Sequence, residues 1–267
     1  MDHILSLAAG TLPEFQPDQI ADAAGQAGFN HCGFTIDPDQ WDATSLNATR
    51  TAIARYDLSI LDVEVIWIPE GGKLAEQHKM IIDAGLELGA ANVLMVSAEP
   101  DKDRTAEAIH QLCDWAAPGN MRVALEFLMI TAVRNMADAL DIIDRADHAA
   151  AALLIDIIHF QRAGHHVEDL KDVDPNLLPY TQVCDGHLAC DNNFEAYLTD
   201  AVDLRSMPGE GELPVSDILH GLPDGIPLSL EIRSKACRDQ YPDPVERARA
   251  IRSAALAFFE QSGISTT

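Results

Sequence analysis

Residues 152–156 read Ala152-Leu153-Leu154-Ile155-Asp156, four apolar residues closed by a carboxylate. A short run that is apolar at every position suits a strand covered on both faces, as in a parallel sheet flanked by helices. A lone carboxylate ending such a run is costly to desolvate unless it is paired or holds a cation. The same design recurs upstream in Arg122-Val123-Ala124-Leu125-Glu126-Phe127 and downstream in Pro227-Leu228-Ser229-Leu230-Glu231.

Outward from these three runs, the sequence predicts eight strands: Ile4–Leu7, His31–Ile36, Leu61–Trp67, Asn92–Val96, Arg122–Phe127, Ala152–Asp156, Tyr180–Cys184 and Pro227–Glu231. Segments of helical spacing lie between them, with recognisable start and stop chemistry at Pro17–Ala27, Gly72–Leu88, Asp101–Ala116 and Pro242–Glu260. The sixth unit is the least regular, offering only the segment around His165–Leu170, and Gly186–Gly211 reads as the longest loop. Eight βα units suit closure, so the expected fold is a (β/α)₈ TIM barrel forming a single domain over residues 1–267. A doubly wound open sheet is the alternative, but the first unit lacks a G-x-G-x-x-G phosphate fingerprint.

The 267 residues are 47% hydrophobic and carry a formal charge of −25. A domain of this size buries about 75% of its unfolded surface. No run approaches the roughly 18 apolar residues of a membrane span, so no membrane partner is expected. The short apolar stretch Ile4–Ala9 follows Asp2 and precedes Pro13 and Glu14, which reads as a strand and not a signal peptide. Five cysteines, Cys32, Cys113, Cys184, Cys190 and Cys237, show no C-x-x-C spacing, as expected for reduced thiols in the cytoplasm. The strong negative charge opposes a phosphate backbone, so DNA and RNA are not expected partners. The Asn47-Ala48-Thr49 triplet fits a glycosylation pattern only by chance in a chain with no sign of secretion.

In a barrel the carboxyl ends of the strands share one mouth, so residues remote in sequence meet there. Glu126, Asp156 and Glu231 each sit at such an end, and Gln182-Val183-Cys184-Asp185 adds polar groups on the seventh strand. Each acid alone is equally well read as the cap of the following helix. Three in consecutive or late units point to a cation site.

These motifs, in the order Ala124-Leu125-Glu126-Phe127, Asp156-Ile157-Ile158-His159, Gln182-Val183-Cys184-Asp185, Arg205-Ser206-Met207-Pro208-Gly209-Glu210-Gly211 and Leu230-Glu231, resemble the xylose isomerase-like barrels over almost the whole chain. That family includes sugar epimerases, inosose and 3-dehydroshikimate dehydratases, and family 2 apurinic endonucleases. The resemblance implies one divalent metal ion held by Glu126, Asp156, Gln182 and Glu231. Gln182 stands where the family often has His and rests mainly on the resemblance. The resemblance also implies that His159 and Arg205 contact substrate oxygens. An all-oxygen ligand set favours Mn²⁺ or Mg²⁺. The implied chemistry is an isomerase or epimerase acting on a small sugar, keto-sugar or polyol derivative: Glu126 and Glu231 move protons next to a carbonyl, and the metal stabilises the enediolate. The alternative is a dehydratase or lyase on a cyclic polyol or a dehydroshikimate-like acid. The repair nucleases need additional His ligands and a basic face, which this chain lacks. A barrel without turnover is the remaining class, and the complete Glu-Asp-Gln-Glu series argues against it.

Further pocket candidates are Glu64, Trp67, Glu99, Met129 and His187, the last as a substrate-binding residue, while Asp185 is expected to orient a neighbour by hydrogen bonding. The His165-His166 pair reads as a solvated loop, and Cys184 has no base partner for nucleophilic work. Homo-oligomerisation, the substrate and the choice between isomerase and lyase stay open at this stage.

Overall fold

The computed structural model describes residues 2–191 and 193–267; Met1, and Asn192 within the expected long loop, lie outside the described residues. Eight parallel strands close in sequence order into a barrel. They are β1 (Leu5–Leu7), β2 (His31–Thr35), β3 (Ser59–Ile68), β4 (Asn92–Ser97), β5 (Arg122–Glu126), β6 (Ala151–Asp156), β7 (Thr181–Val183) and β8 (Leu228–Leu230). The chain therefore has the expected (β/α)₈ TIM barrel. All eight expected strands form, with ends shifted by one or two residues.

The helices are α1 (Pro17–Ala27), α2 (Ala43–Tyr56), α3 (Glu76–Leu88), α4 (Lys102–Ala116), α5 (Met136–Ala146), α6 (Ile157–Arg162), α7 (Phe194–Asp203), α8 (Val215–Gly221), α9 (Lys235–Gln240) and α10 (Pro244–Gln261). Helix α1 has the expected bounds, with Pro17 at its first position and Gly28 in the left-handed region at φ 87° beyond its end. Helix α3 starts at Glu76 and not at Gly72, because Gly71 and Gly72 have φ of 93° and 67° and cannot continue a helix. Asp101 lies outside α4 as its cap, accepting from the Asp103 amide at 3.0 Å.

Two expectations about the late units are corrected. The sixth unit's helix is α6, which starts directly after Asp156, whereas Val167–Asp172 forms only a 3₁₀ turn. The Gly186–Gly211 stretch is not an open loop, since it contains the three-turn helix α7. Asn193 caps α7 by accepting from the Ala196 amide at 2.9 Å.

The inside of the barrel is filled by Leu61, Leu94, Val96, Ala124, Ala152, Leu154 and Tyr180, separate from the larger apolar layer between strands and helices. In-register neighbours on a sheet project to the same side, so the paired row Asp156, Gln182, Ser229 and Ser6 shares one face. Above the plug, polar residues take over and the mouth begins.

Between β7 and α8, the Pro-Gly-Glu-Gly turn is tied down by Asp185. Its Oδ1 accepts from the Gly186 and Leu213 amides at 2.8 and 3.0 Å, and its Oδ2 accepts from the Gly209 amide at 3.0 Å. Asp185 thus orders a backbone turn. At Gly211 an added Cβ would lie 2.5 Å from the backbone N and O of Gly186 and would overlap the Asp185 carboxylate. Gly211→Ala is expected to destabilise the protein by about 1–3 kcal/mol through overpacking, read as a lowered urea midpoint at unchanged slope.

Candidate metal and proton-transfer site

Glu231 follows β8 and is held on both sides by one hydroxyl. Thr11 Oγ1 donates to the Leu230 carbonyl at 2.8 Å and accepts from the Ile232 amide at 2.9 Å. Gly10 passes so close that a Cβ there would overlap Glu231 Oε1 and lie 3.1 Å from Arg233 Cδ. Glycine at this position makes room for the carboxylate.

Asp156 has two roles. Its Oδ1 accepts from the Ile158 amide at 2.9 Å as the cap of α6, and its Oδ2 lies 2.6 Å from Arg205 Nη1. The cap reading of this acid therefore holds for one oxygen, while the other belongs to the mouth. The same Arg205 nitrogen lies 2.8 Å from Glu231 Oε2. Arg205 reaches that position because its neighbours are pinned to the flanking strand ends: Leu204 bridges to Ser234 and Ser206 to Asp185. Arg205 Nε also donates to the Ala201 carbonyl at 2.7 Å, and the residue is only 3% exposed.

Glu126 ends β5, buried beside Asp156 and facing His159 Nε2, which is 3.9 Å from Glu126 Oε1. Ligand atoms of Glu126, Asp156 and His159 all lie within 4.8 Å of one another, a spacing that can hold a metal ion. Gln182 is 1% exposed, and neither its amide oxygen nor its nitrogen has a hydrogen-bond partner. Such an orphaned buried amide is expensive and marks a position where a ligand is due. The geometric trio includes His159, whereas the set implied by the sequence has Gln182 and Glu231 instead. Glu126 and Asp156 are common to both.

The mouth holds more negative than positive charge. Burial, reinforced by Asp156 and Glu231, raises the Glu126 carboxyl well above its usual range. Glu231 is pushed up to about 8, chiefly by burial, with Arg205 opposing and Asp156 and Glu64 adding to the rise. Glu64 rises to about 7 through burial and Asp62. Asp156 behaves oppositely: burial is the largest single influence and would raise it, but the Arg205 guanidinium, joined by His159 and a hydrogen bond to Glu231, holds it below the ordinary carboxylate value. Burial pushes His159 down to about 4 against the pull of Asp156, so its ring is neutral at pH 7.

The sign of the resulting pH dependence follows from these shifts. Glu231, Glu64 and Asp62 have raised values in the folded state, so their contribution to stability is complete below the unfolded values near pH 4 and is lost on ascent to about pH 7–8. In chelator-treated protein the urea midpoint is expected to fall between pH 5 and pH 8.5. Added Mn²⁺ is expected to restore more stability at pH 8.5 than at pH 5, since a cation held at this cluster would bind the ionised carboxylates.

The other candidates divide clearly. Glu64 is buried at the mouth, with Thr35 Oγ1 donating to it at 3.1 Å. Glu99 is buried but binds the Gly71 and Asp101 amides, so it fixes loops. Trp67 is 45% exposed, and the Met129 amide donates to Tyr197 OH at 3.4 Å. His187 lies outside the cluster, with a 73% exposed side chain 4.0 Å from Glu212. His165 is not a solvated loop residue: its Nε2 receives the Met136 amide at 3.0 Å. All five cysteines are free thiols, and burial raises Cys184 far above the normal thiol range.

Sequence reasoning missed Asp62, Tyr180, Tyr197 and Arg233. Tyr180 OH donates to Asp62 Oδ2 at 3.0 Å beneath the mouth. The available signal was the period-two spacing of Asp62 and Glu64, which puts both on one side of β3; Arg233 lies beyond the end of β8, where strand alternation no longer applies. Nothing local marked Tyr197, whose partners come from other units.

A closed parallel barrel with acids and a neutral histidine gathered at the carboxyl ends of late strands defines a class, the TIM barrels with a mouth site suited to a divalent cation. The chain belongs to one family within it: the model of the xylose isomerase-like TIM barrel family matches residues 20–259. No curated protein matches the chain in sequence. Among solved structures, it is similar to a xylose isomerase-like TIM barrel/4-hydroxyphenylpyruvate dioxygenase fusion protein, with a TM-score of 0.79 and 18% identity over 100% of this chain; the chain spans 45% of that protein's length. It is similar to an IOLI protein whose structure has a bound zinc atom, with a TM-score of 0.78 and 17% identity over 97% of this chain and 98% of the other. A D-allulose 3-epimerase from Methylomonas sp. superposes with a TM-score of 0.67 and 15% identity over 98% of both chains. No helix is long and apolar enough to cross a membrane among the described residues.

Proposed function

We propose that the protein is a divalent-metal-dependent isomerase or epimerase that moves a proton next to the carbonyl of a small sugar, keto-sugar or polyol derivative. The observation that carries this reading is the pair of buried carboxyls with raised affinity for protons, Glu126 and Glu231, gathered around Asp156, with Arg205 bridging Asp156 and Glu231. A base for this chemistry works best when its pKa lies near the working pH.

Glu126, Asp156, Gln182 and Glu231 supply an oxygen ligand set that suits Mn²⁺ or Mg²⁺. When bound, such an ion polarises a carbonyl and offsets negative charge developing beside it. The chain's own groups do the rest. Arg205 keeps Asp156 ionised and orients Glu231 through Oε2. Glu231 and Glu126 take and return the proton on the two sides of the substrate. His159 presents Nε2 toward the same space and binds a substrate oxygen.

A second reading, a lyase acting on a cyclic acid, is favoured by Arg233. This residue has no ion-pair partner among the described residues, and its buried Nε has no hydrogen-bond partner, although it runs beside Glu231. Its charge is felt by Glu64 and Glu231 without a direct ion pair, and a guanidinium so placed is suited to a substrate carboxylate.

The test is a panel of keto-sugars, polyols and cyclic hydroxy acids incubated with Mn²⁺-loaded protein in D₂O and followed by NMR. Deuterium entering at carbon without loss of water supports the isomerase or epimerase. Net loss of water replaces it with the lyase, and no deuterium exchange in any compound rejects proton-transfer chemistry at this site.

A further inference from the structure

Helix α7, which fills the stretch expected to be a loop, faces α6 through two pairs. His159 and Arg162 lie three residues apart on α6, and Tyr197 and Asp200 lie three apart on α7, so each pair occupies one helix face. Arg162 and Asp200 form a buried two-point ion pair, at 2.8 Å from Nε to Oδ2 and 3.1 Å from Nη2 to Oδ1. That clamp sets the position of Tyr197. Its ring stacks on His159 at a centroid distance of 5.6 Å and an angle of 16°, and its hydroxyl lies 2.6 Å from His159 Nδ1.

A phenol has one proton to donate and two lone pairs to accept with. The Met129 amide donates to this hydroxyl at 3.4 Å. If the neutral imidazole also donated, from Nδ1, the phenol proton would be left with no acceptor among the described residues, in a side chain only 5% exposed. If the phenol donates to Nδ1, all three groups are satisfied, as buried polar groups require.

We infer that Tyr197 is a positioning residue that fixes His159 in the tautomer with its proton on Nε2, making His159 a hydrogen-bond donor at the mouth and not a metal ligand. An Nε2–H facing Glu126 has no lone pair for an ion. Of the three converging residues Glu126, Asp156 and His159, the two acids bind the cation and the histidine binds a substrate oxygen. This second consequence rests on the proposed metal-dependent reaction; the tautomer itself does not.

The experiment is a long-range ¹H–¹⁵N NMR correlation of the full chain labelled at histidine nitrogen, at pH 7, with the His159 signals assigned from their loss in His159→Gln. Wild-type protein is expected to show the proton on Nε2. In Tyr197→Phe, which keeps the ring stack, loss of one ordinary hydrogen bond should shift the tautomer ratio by about tenfold toward Nδ1–H. A wild-type spectrum with the proton on Nδ1, or an unchanged ratio in the variant, overturns the inference. Titration with Zn²⁺ gives the second arm: wild-type His159 keeps its Nε2 proton while calorimetry records binding. Loss of that proton on binding overturns the ligand assignment, whereas absence of binding rejects the metal reading and leaves the tautomer result to stand or fall separately.

Discussion

Glu231→Gln is expected to lower kcat/KM by at least about 10³-fold, with circular dichroism and the urea slope unchanged, because positioned acid–base groups contribute about 10²–10⁴-fold and in the proposed reaction this one also serves as a ligand. The amide keeps the size of the carboxyl and can still face Arg205, so the Thr11 clamp around residues 230–232 should persist. It cannot accept the substrate proton and contributes no charge to a cation. Mn²⁺ affinity, measured by calorimetry, should fall together with activity. A Glu231→Gln enzyme with more than a tenth of wild-type turnover would remove this residue from the proton-transfer step.

The second large effect concerns stability. Arg205 Nη1 neutralises Asp156 and Glu231 at once, at 2.6 and 2.8 Å, and all three groups are buried. Removing one partner from a buried ionic network leaves uncompensated charge and typically costs about 3–5 kcal/mol. Arg205→Met, which retains an unbranched apolar stem, is therefore expected to lower the unfolding free energy of metal-free protein by about that amount at pH 8, as read by urea denaturation. The loss should be smaller at pH 5, where Glu231, raised to about 8, is protonated and has no charge left to balance. Divalent metal should recover part of the loss by placing positive charge among the same carboxylates. A change below about 1 kcal/mol at pH 8 would show that the pair is solvent-screened and not structural.

Much of the barrel was legible because its signals are local. A buried parallel strand must be short and apolar, and all eight such runs form strands. Helix starts and stops were legible where a specific residue enforces them, as with Pro17 and Gly28 around α1. They were misplaced where the backbone is left-handed ahead of the helix, as at Gly71 and Gly72 before α3. In the sixth unit the expected helix lay well beyond the acid, but Asp156 is both strand end and cap, leaving no linker.

By itself the sequence determined the fold and the acids of the mouth. Strand-end carboxylates at Glu126, Asp156 and Glu231 are fixed by position along their own strands, and barrel closure brings such ends together. The tertiary structure alone decided what surrounds them. The resemblance carried by the Arg205–Gly211 motif placed Arg205 at the mouth, but its bridge to Asp156 and Glu231 forms only because Leu204 and Ser206 pair with different segments beyond the strand ends. His187, close to the seventh strand in sequence, turns out to solvent, whereas Tyr197, from the middle of an expected loop, reaches His159. The physical reason is one of range. The burial pattern of a strand is written in alternate residues of that strand, but the partner of a buried polar side chain is chosen by satisfying hydrogen bonds and charge among segments that meet only after the barrel has closed.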